Sequence, residues 1–209
     1  YSQRIANSDL ENHIQEMRSV WPNYSIRPDT PREQYNSIIY IEPVNDRNLQ
    51  AVGYDMFSEP IRRAAMENAC DTGIVTISGK VTLVQEITQD IQPGFLMYLP
   101  VYKNNVMPAS VEEKQAALQG FVYMAFRTYD LFNSMLPGLG EIQHNDIRVK
   151  IYDTEKSEEN LLYDSKKDIP DESWSKSTQI DFGHRTWLLE FSQVRTFTDF
   201  ETMVMVAVP

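Results

Sequence analysis

The sequence predicts an α+β fold, in which antiparallel sheets each bury one face against helices, and three observations predict it. Ala6, Leu10, His13 and Met17 recur at helical spacing near the start. After Gly73 the apolar period falls to two, over Ile74 to Ile77, Val81 to Glu86, Phe95 to Tyr102 and Phe121 to Phe126. The same order of helix then strands returns in a smaller second unit that begins at Tyr129.

Taken in order, the first helix is already in progress at Tyr1 and reads as the end of a longer one. It stops at Trp21-Pro22, because the residue before proline is pushed out of the α region. A breaker-rich stretch to Pro31 precedes a short β-branched strand, Ser37 to Ile41. Ala51 to Tyr54 resumes extended structure after the Asn45-Asp46-Arg47-Asn48 turn. Ser58 caps a helix from Glu59 with Pro60 in its first turn, and Gly73 suits its C-terminal left-handed position. Ile61, Ala65 and Ala69 line one side of that helix. Ser78-Gly79 between two β-rich runs predicts a hairpin. A short helix spans Val111 to Leu118.

In the second unit a helix over Tyr129 to Leu136 ends at Pro137-Gly138. Strands follow at Ile147 to Tyr152, Leu161 to Tyr163, Trp187 to Phe191 and Met203 to Val208, with residues 164–185 as an exposed polar loop.

Composition excludes several classes. The 209 residues carry 30 acids against 19 bases, a net charge of −11, which opposes binding to a phosphate backbone. The closest basic pairs, Arg62-Arg63 and Lys166-Lys167, sit among acids. No run approaches 18 apolar residues, and the single cysteine, Cys70, allows no intrachain disulfide and reads as a helix-packing residue. Nucleophile-elbow, P-loop, dinucleotide-binding, metalloprotease and EF-hand motifs are absent, and His13, His144 and His184 show no ligand spacing.

The informative polar residue is Asp55, between Gly53-Tyr54 and Met56-Phe57. A carboxylate so near a core must be paired or hydrogen-bonded. It either braces the turn into the following helix or accepts N–H groups from a ligand. Glu86 and Arg127 end strands and read as salt-bridge or rim residues. Phe95, Met97 and Leu99 alternate with Leu96 and Tyr98, and Phe121, Tyr123 and Ala125 alternate with Val122, Met124 and Phe126. One set is core, and the other suits the wall of a pocket for a flat, mostly apolar molecule.

The stretch from Gly53-Tyr54-Asp55-Met56-Phe57-Ser58-Glu59-Pro60 to Met66 resembles the signature of CHASE domains. The match runs on through Asp71-Thr72-Gly73, Ser78 to Glu86, Gln92 to Phe95, Leu99-Pro100-Val101-Tyr102 and Gly120 to Arg127. Tyr24 to Pro28, Ile41-Glu42-Pro43 and Asn48-Leu49 also fit, so the resemblance spans residues 1–136.

The resemblance implies an extracytoplasmic, periplasmic sensor held between two membrane helices, without catalytic activity or cofactor of its own. Its output would be a histidine kinase or a diguanylate cyclase in bacteria, and the cytokinin-receptor kinase in plants. The implied architecture is an N-terminal stalk helix (1–20), a membrane-distal PAS-like unit (21–127) that binds the ligand, and a membrane-proximal PAS-like unit (128–209), in a homodimer. Carried over motif by motif, the pocket aspartate is Asp55 and the backbone contact is Ile77. A small pocket threonine becomes Tyr98, and two pocket glycines become Tyr123 and Met124, with Met97 completing the set. These larger side chains would fill space that the plant receptors leave for a purine- or cytokinin-like ligand. The rival reading is therefore a protein-docking or dimerisation module with no small ligand.

Overall fold

A computed structural model describes residues 1–85, 91–135, 147–165 and 175–193. Expectations for Glu86, His144, the 137–138 helix stop and the 203–208 strand lie outside them. The chain divides into two compact units, Tyr1–Thr128 with Asp181–Arg185, and Tyr129–Ile180 with Thr186–Pro209. Among the described residues no helix is long and apolar enough to cross a membrane.

The start of the chain corrects the stalk-helix expectation. Ser2–Ala6 is a strand, β1, and the helix α1 covers only Leu10–Arg18. β1 lies between β2 (Gln34–Ile38) and a later strand, pairing Arg4 with Asn36 and Ser2 with Phe121. The helical spacing is genuine from Leu10 onward, where Leu10, Ile14 and Met17 pack on Ile5, Tyr24, Ile26 and Tyr35. Ala6 shares that spacing by coincidence, and pairing over more than thirty residues of separation prevails over the local pattern.

After a short turn of helix, α2 (Asp46–Leu49), the residues 51–54 expected to be extended form turns. Their end is tied back by bridges from Tyr54 to Arg27 and from Asp55 to Ser37. α3 spans Pro60–Thr72. Its cap is Glu59 rather than Ser58, the carboxylate accepting the N–H groups of Ile61 and Arg62. Gly73 closes the helix at φ 79°, where a non-glycine residue would be strained. The helix buries Arg62, Ala65, Met66, Ala69 and Cys70, while Ile61 is exposed. Burial pushes the Cys70 thiol up to about 11, in keeping with a packing role.

β3 (Thr76–Ile77) and β4 (Val81–Thr82) do not form the predicted hairpin. Both pair antiparallel with β5 (Pro93–Tyr102), Ile77 opposite Met97 and Val81 opposite Gly94. Ser78 bonds in both directions to Leu96, its N–H to the Leu96 carbonyl and its hydroxyl accepting the Leu96 N–H, so the chain bulges past Ser78-Gly79 without reversing. α4 (Val111–Ala117) starts with a Ser110/Glu113 capping box and leads into β6 (Leu118–Arg127), which pairs along the length of β5. The sheet order is β2-β1-β6-β5-β3, with β4 also on β5. α1 packs on one face. α3 packs on the other, over Ile38, Leu96, Tyr98, Tyr102, Leu118 and Phe121.

The second unit holds the helix α5 (Thr128–Met135) and the strands β7 (Ile147–Asp153), β8 (Leu161–Asp164), β9 (Ser175–Phe182) and β10 (Arg185–Gln193), in the order β8-β7-β10-β9, except that Thr128, Asp181, Phe182 and Arg185 fall in the first unit. Phe132 meets Trp187 edge-on and Tyr163 at a tilt, closing the helix over the sheet. β9 lies in the stretch expected to be a loop. Its residues are exposed throughout, so it buries no alternate side chains and leaves no apolar alternation to read.

Candidate functional site

The residues proposed from sequence fall into two groups separated by the sheet. Leu96, Tyr98, Phe121 and Tyr123 face α3 and belong to the core of the first unit. Met97 and Met124 are cross-strand partners on the opposite face, beside the pair Leu99 and Val122. Leu99, Val122 and Met124 are 44%, 50% and 56% exposed. Met97 and Met124 therefore do not share a hollow with Tyr98, because successive side chains on a strand point to opposite sides.

Asp55 faces the interior and is wholly buried. Its Oδ1 accepts the N–H of Asn36 at 2.7 Å and that of Phe57 at 3.0 Å. Its Oδ2 meets Arg32 Nη1 at 3.1 Å. Burial pushes the carboxyl above its ordinary range, while the two backbone donors and Arg32 pull it back. One carboxylate thus caps the 3₁₀ turn Met56–Ser58 and braces β2. That is the bracing role weighed for it, and both oxygens are engaged without a ligand.

Ile77, carried over as a backbone contact, donates its N–H to the Gly183 carbonyl at 2.9 Å, within the same unit. A Cβ on Gly183, at φ 54°, would stand 2.8 Å from Ile77 Cγ2, so the approach depends on glycine.

Tyr98 is fully buried, its hydroxyl 3.5 Å from Met56 Sδ and its ring edge-on to Phe121. Opposite it on β6 stands Tyr123, whose buried hydroxyl has no protein partner. Burial raises both phenols well above their ordinary value. Tyr123 borders a void of about 10 Å³, lined among others by Tyr54, Met56, Arg62, Leu83 and Leu96, and together with Met124 it also borders a separate cavity of about 570 Å³. Arg62 reaches in from α3, donating to the Thr82 carbonyl at 2.7 Å and the Tyr54 hydroxyl at 3.3 Å.

Arg62 escaped the sequence reading, which noted it only as half of a basic pair among acids. The available signal was its place beside Ala65, Met66 and Ala69 on the buried side of α3. Among the described residues no group of three His, Cys, Asp or Glu side chains could hold a metal ion. His13 is instead a buried core group, 3.0 Å from the Tyr24 hydroxyl.

The first unit is thus an antiparallel sheet covered by a helix, with a small hollow into which polar groups are directed. The family model described as CHASE domain matches residues 1–163, and the chain belongs to that family. CHASE domains are non-catalytic, extracytoplasmic sensory modules of membrane receptors. No curated protein matches the chain.

Proposed function

We propose that this chain is the ligand-sensing part of a transmembrane receptor whose cytoplasmic output is a histidine kinase or a diguanylate cyclase. A small, partly aromatic molecule of the purine class enters the first unit between its sheet and α3. The two sheets then correspond to the membrane-distal and membrane-proximal PAS-like units, in a homodimer anchored by flanking membrane helices.

The observation that carries this reading is the Tyr123 hydroxyl, buried without a partner at the void beside Arg62. An unsatisfied buried hydroxyl costs about 1–3 kcal/mol, which a ligand acceptor or donor at that point recovers. The void holds about one water, against about 300–1,000 Å³ for ligand pockets. Entry of a purine into this void, from the cavity of about 570 Å³ that Tyr123 also borders, therefore requires the Tyr123 and Met56 side chains to move. That requirement supplies the coupling: the ligand fits an opened arrangement and not the closed one, so its binding shifts the population. In this account Asp55 fixes the wall, and Tyr123 and Arg62 reach the ligand.

Calorimetric titration with adenine tests the reading. Saturable binding that weakens in Tyr123→Phe is expected, whereas no binding to either protein removes the purine class.

The exposed patch of Leu99, Val122 and Met124 favours a second reading, a dimerisation surface against another copy of the chain. Sedimentation of Val122→Lys decides it. A wild-type dimer that becomes a monomer supports the reading, and an unchanged state removes it.

A further inference from the structure

A larger hollow opens elsewhere on the first unit. A cavity of about 1100 Å³ is bordered by β1, the segment 32–34, Phe57 and the ends of β5 and α4. Its lining carries four cations, Arg4, Arg32, Arg63 and Lys103, against two acids, Asp9 and Glu33. On a chain of net charge −11 this is a local reversal of sign.

Two of the cations have carboxylate partners: Arg32 pairs with Asp55, and Arg63 with Glu67 at 2.8 Å. Arg4 and Lys103 do not. Half-buried Arg4 donates from Nε to Gln34 Oε1 at 3.1 Å and from Nη1 to the Gln115 carbonyl, both neutral acceptors. Among the described residues no carboxylate lies within ion-pairing distance of Arg4 or of Lys103. A guanidinium drawn partly out of water without a counter-charge is under-compensated, and its planar fork is already oriented by its two acceptors. Preorganised positive charge of this kind favours an anion over a neutral ligand.

We infer that this cavity binds a small anion through a carboxylate or phosphate group, with Arg4 and Lys103 as the main contacts. Arg32 connects it to the interior. An anion that draws on this guanidinium competes with Asp55 Oδ2, and Asp55 holds the Met56–Ser58 turn. The inference is independent of the reading at Tyr123, since the two hollows share no lining residue.

The test is calorimetric titration at low ionic strength with inorganic phosphate and with succinate as separate probes. The proteins are wild type, Arg4→Gln, Lys103→Gln, and Lys176→Gln on exposed β9 as a control. At least one probe is expected to saturate, with each cavity variant weakened about tenfold and the control unchanged. Saturation by phosphate alone assigns the phosphate class, and by succinate alone the carboxylate class. Arg4 also ties β1 to Gln34, so if its variant misfolds, Lys103→Gln at the exposed end of β5 carries the test. No saturable binding by either probe, or equal affinity in Lys103→Gln and wild type, overturns the inference.

Discussion

Arg32 Nη1 stands 3.1 Å from Asp55 Oδ2, and this ion pair joins a partly exposed guanidinium to a wholly buried carboxylate of the first unit. The other carboxylate oxygen holds the N–H groups of Asn36 and Phe57. The three bonds tie β2, the segment before it and the turn before α3 to one side chain.

Asp55→Ala orphans two buried N–H groups and unpairs Arg32, at an expected cost of about 3–5 kcal/mol. Asp55→Asn keeps an acceptor for both N–H groups but turns its amide NH2 toward Arg32, losing that charged hydrogen bond, so it should cost about 1.5–3 kcal/mol. Denaturant unfolding measures both. An Asp55→Ala protein as stable as wild type would remove the bracing role.

Tyr98 and Tyr123 face each other across β5 and β6 but should respond differently. Tyr123→Phe deletes a hydroxyl without a partner and is expected to leave stability unchanged or raise it by up to about 1 kcal/mol. Tyr98→Ala empties a filled part of the core and should cost about 3–5 kcal/mol. Thermal unfolding of the two variants compares them, and a clear loss in Tyr123→Phe would mean that its hydroxyl has a partner.

His13 gives a pH dependence. Burial lowers its pKa below the ordinary 6.5, with Glu16 partly opposing. The folded state therefore takes up the proton later than the unfolded one. The associated stability is fully present above pH 6.5 and is lost as pH falls from there to the folded value. The drop in melting temperature between pH 7.5 and pH 5 should be smaller in His13→Gln than in wild type. Equal drops would show that His13 does not titrate differently on folding.

In the second unit Arg148 and Asp164 form a buried two-bond pair, Nε to Oδ1 at 2.8 Å and Nη2 to Oδ2 at 2.6 Å. Arg148→Met alone removes the two-bond partner of the buried Asp164 carboxylate and should cost about 3–5 kcal/mol. Adding Asp164→Leu should recover most of that loss. Chemical denaturation of the single and double variants checks it, and a double variant no better than the single would contradict it.

Local signals made part of this fold legible. The Pro60 start and Gly73 stop of α3, and the alternation along β5 and β6, follow from backbone preferences within a few residues. What escaped depends on distant partners. Ser2–Ala6 becomes a strand because β2 pairs with it, and Ser78-Gly79 fails to turn because Leu96 binds Ser78. Asp55 was recognisable from its apolar neighbours, but Arg32, 23 residues away among prolines, was not. The alternation in β5 showed two faces, and only the packing of α3 decides that Tyr98 is inside and Met97 outside.

The most direct measurement is equilibrium dialysis of small-molecule extract from the natural host against wild type and Tyr123→Trp, read by mass spectrometry. Circular dichroism would confirm that both proteins are folded. The account predicts at least one compound that wild type concentrates and the overfilled variant does not. Identical profiles from the two proteins would contradict a ligand in the hollow at Tyr123.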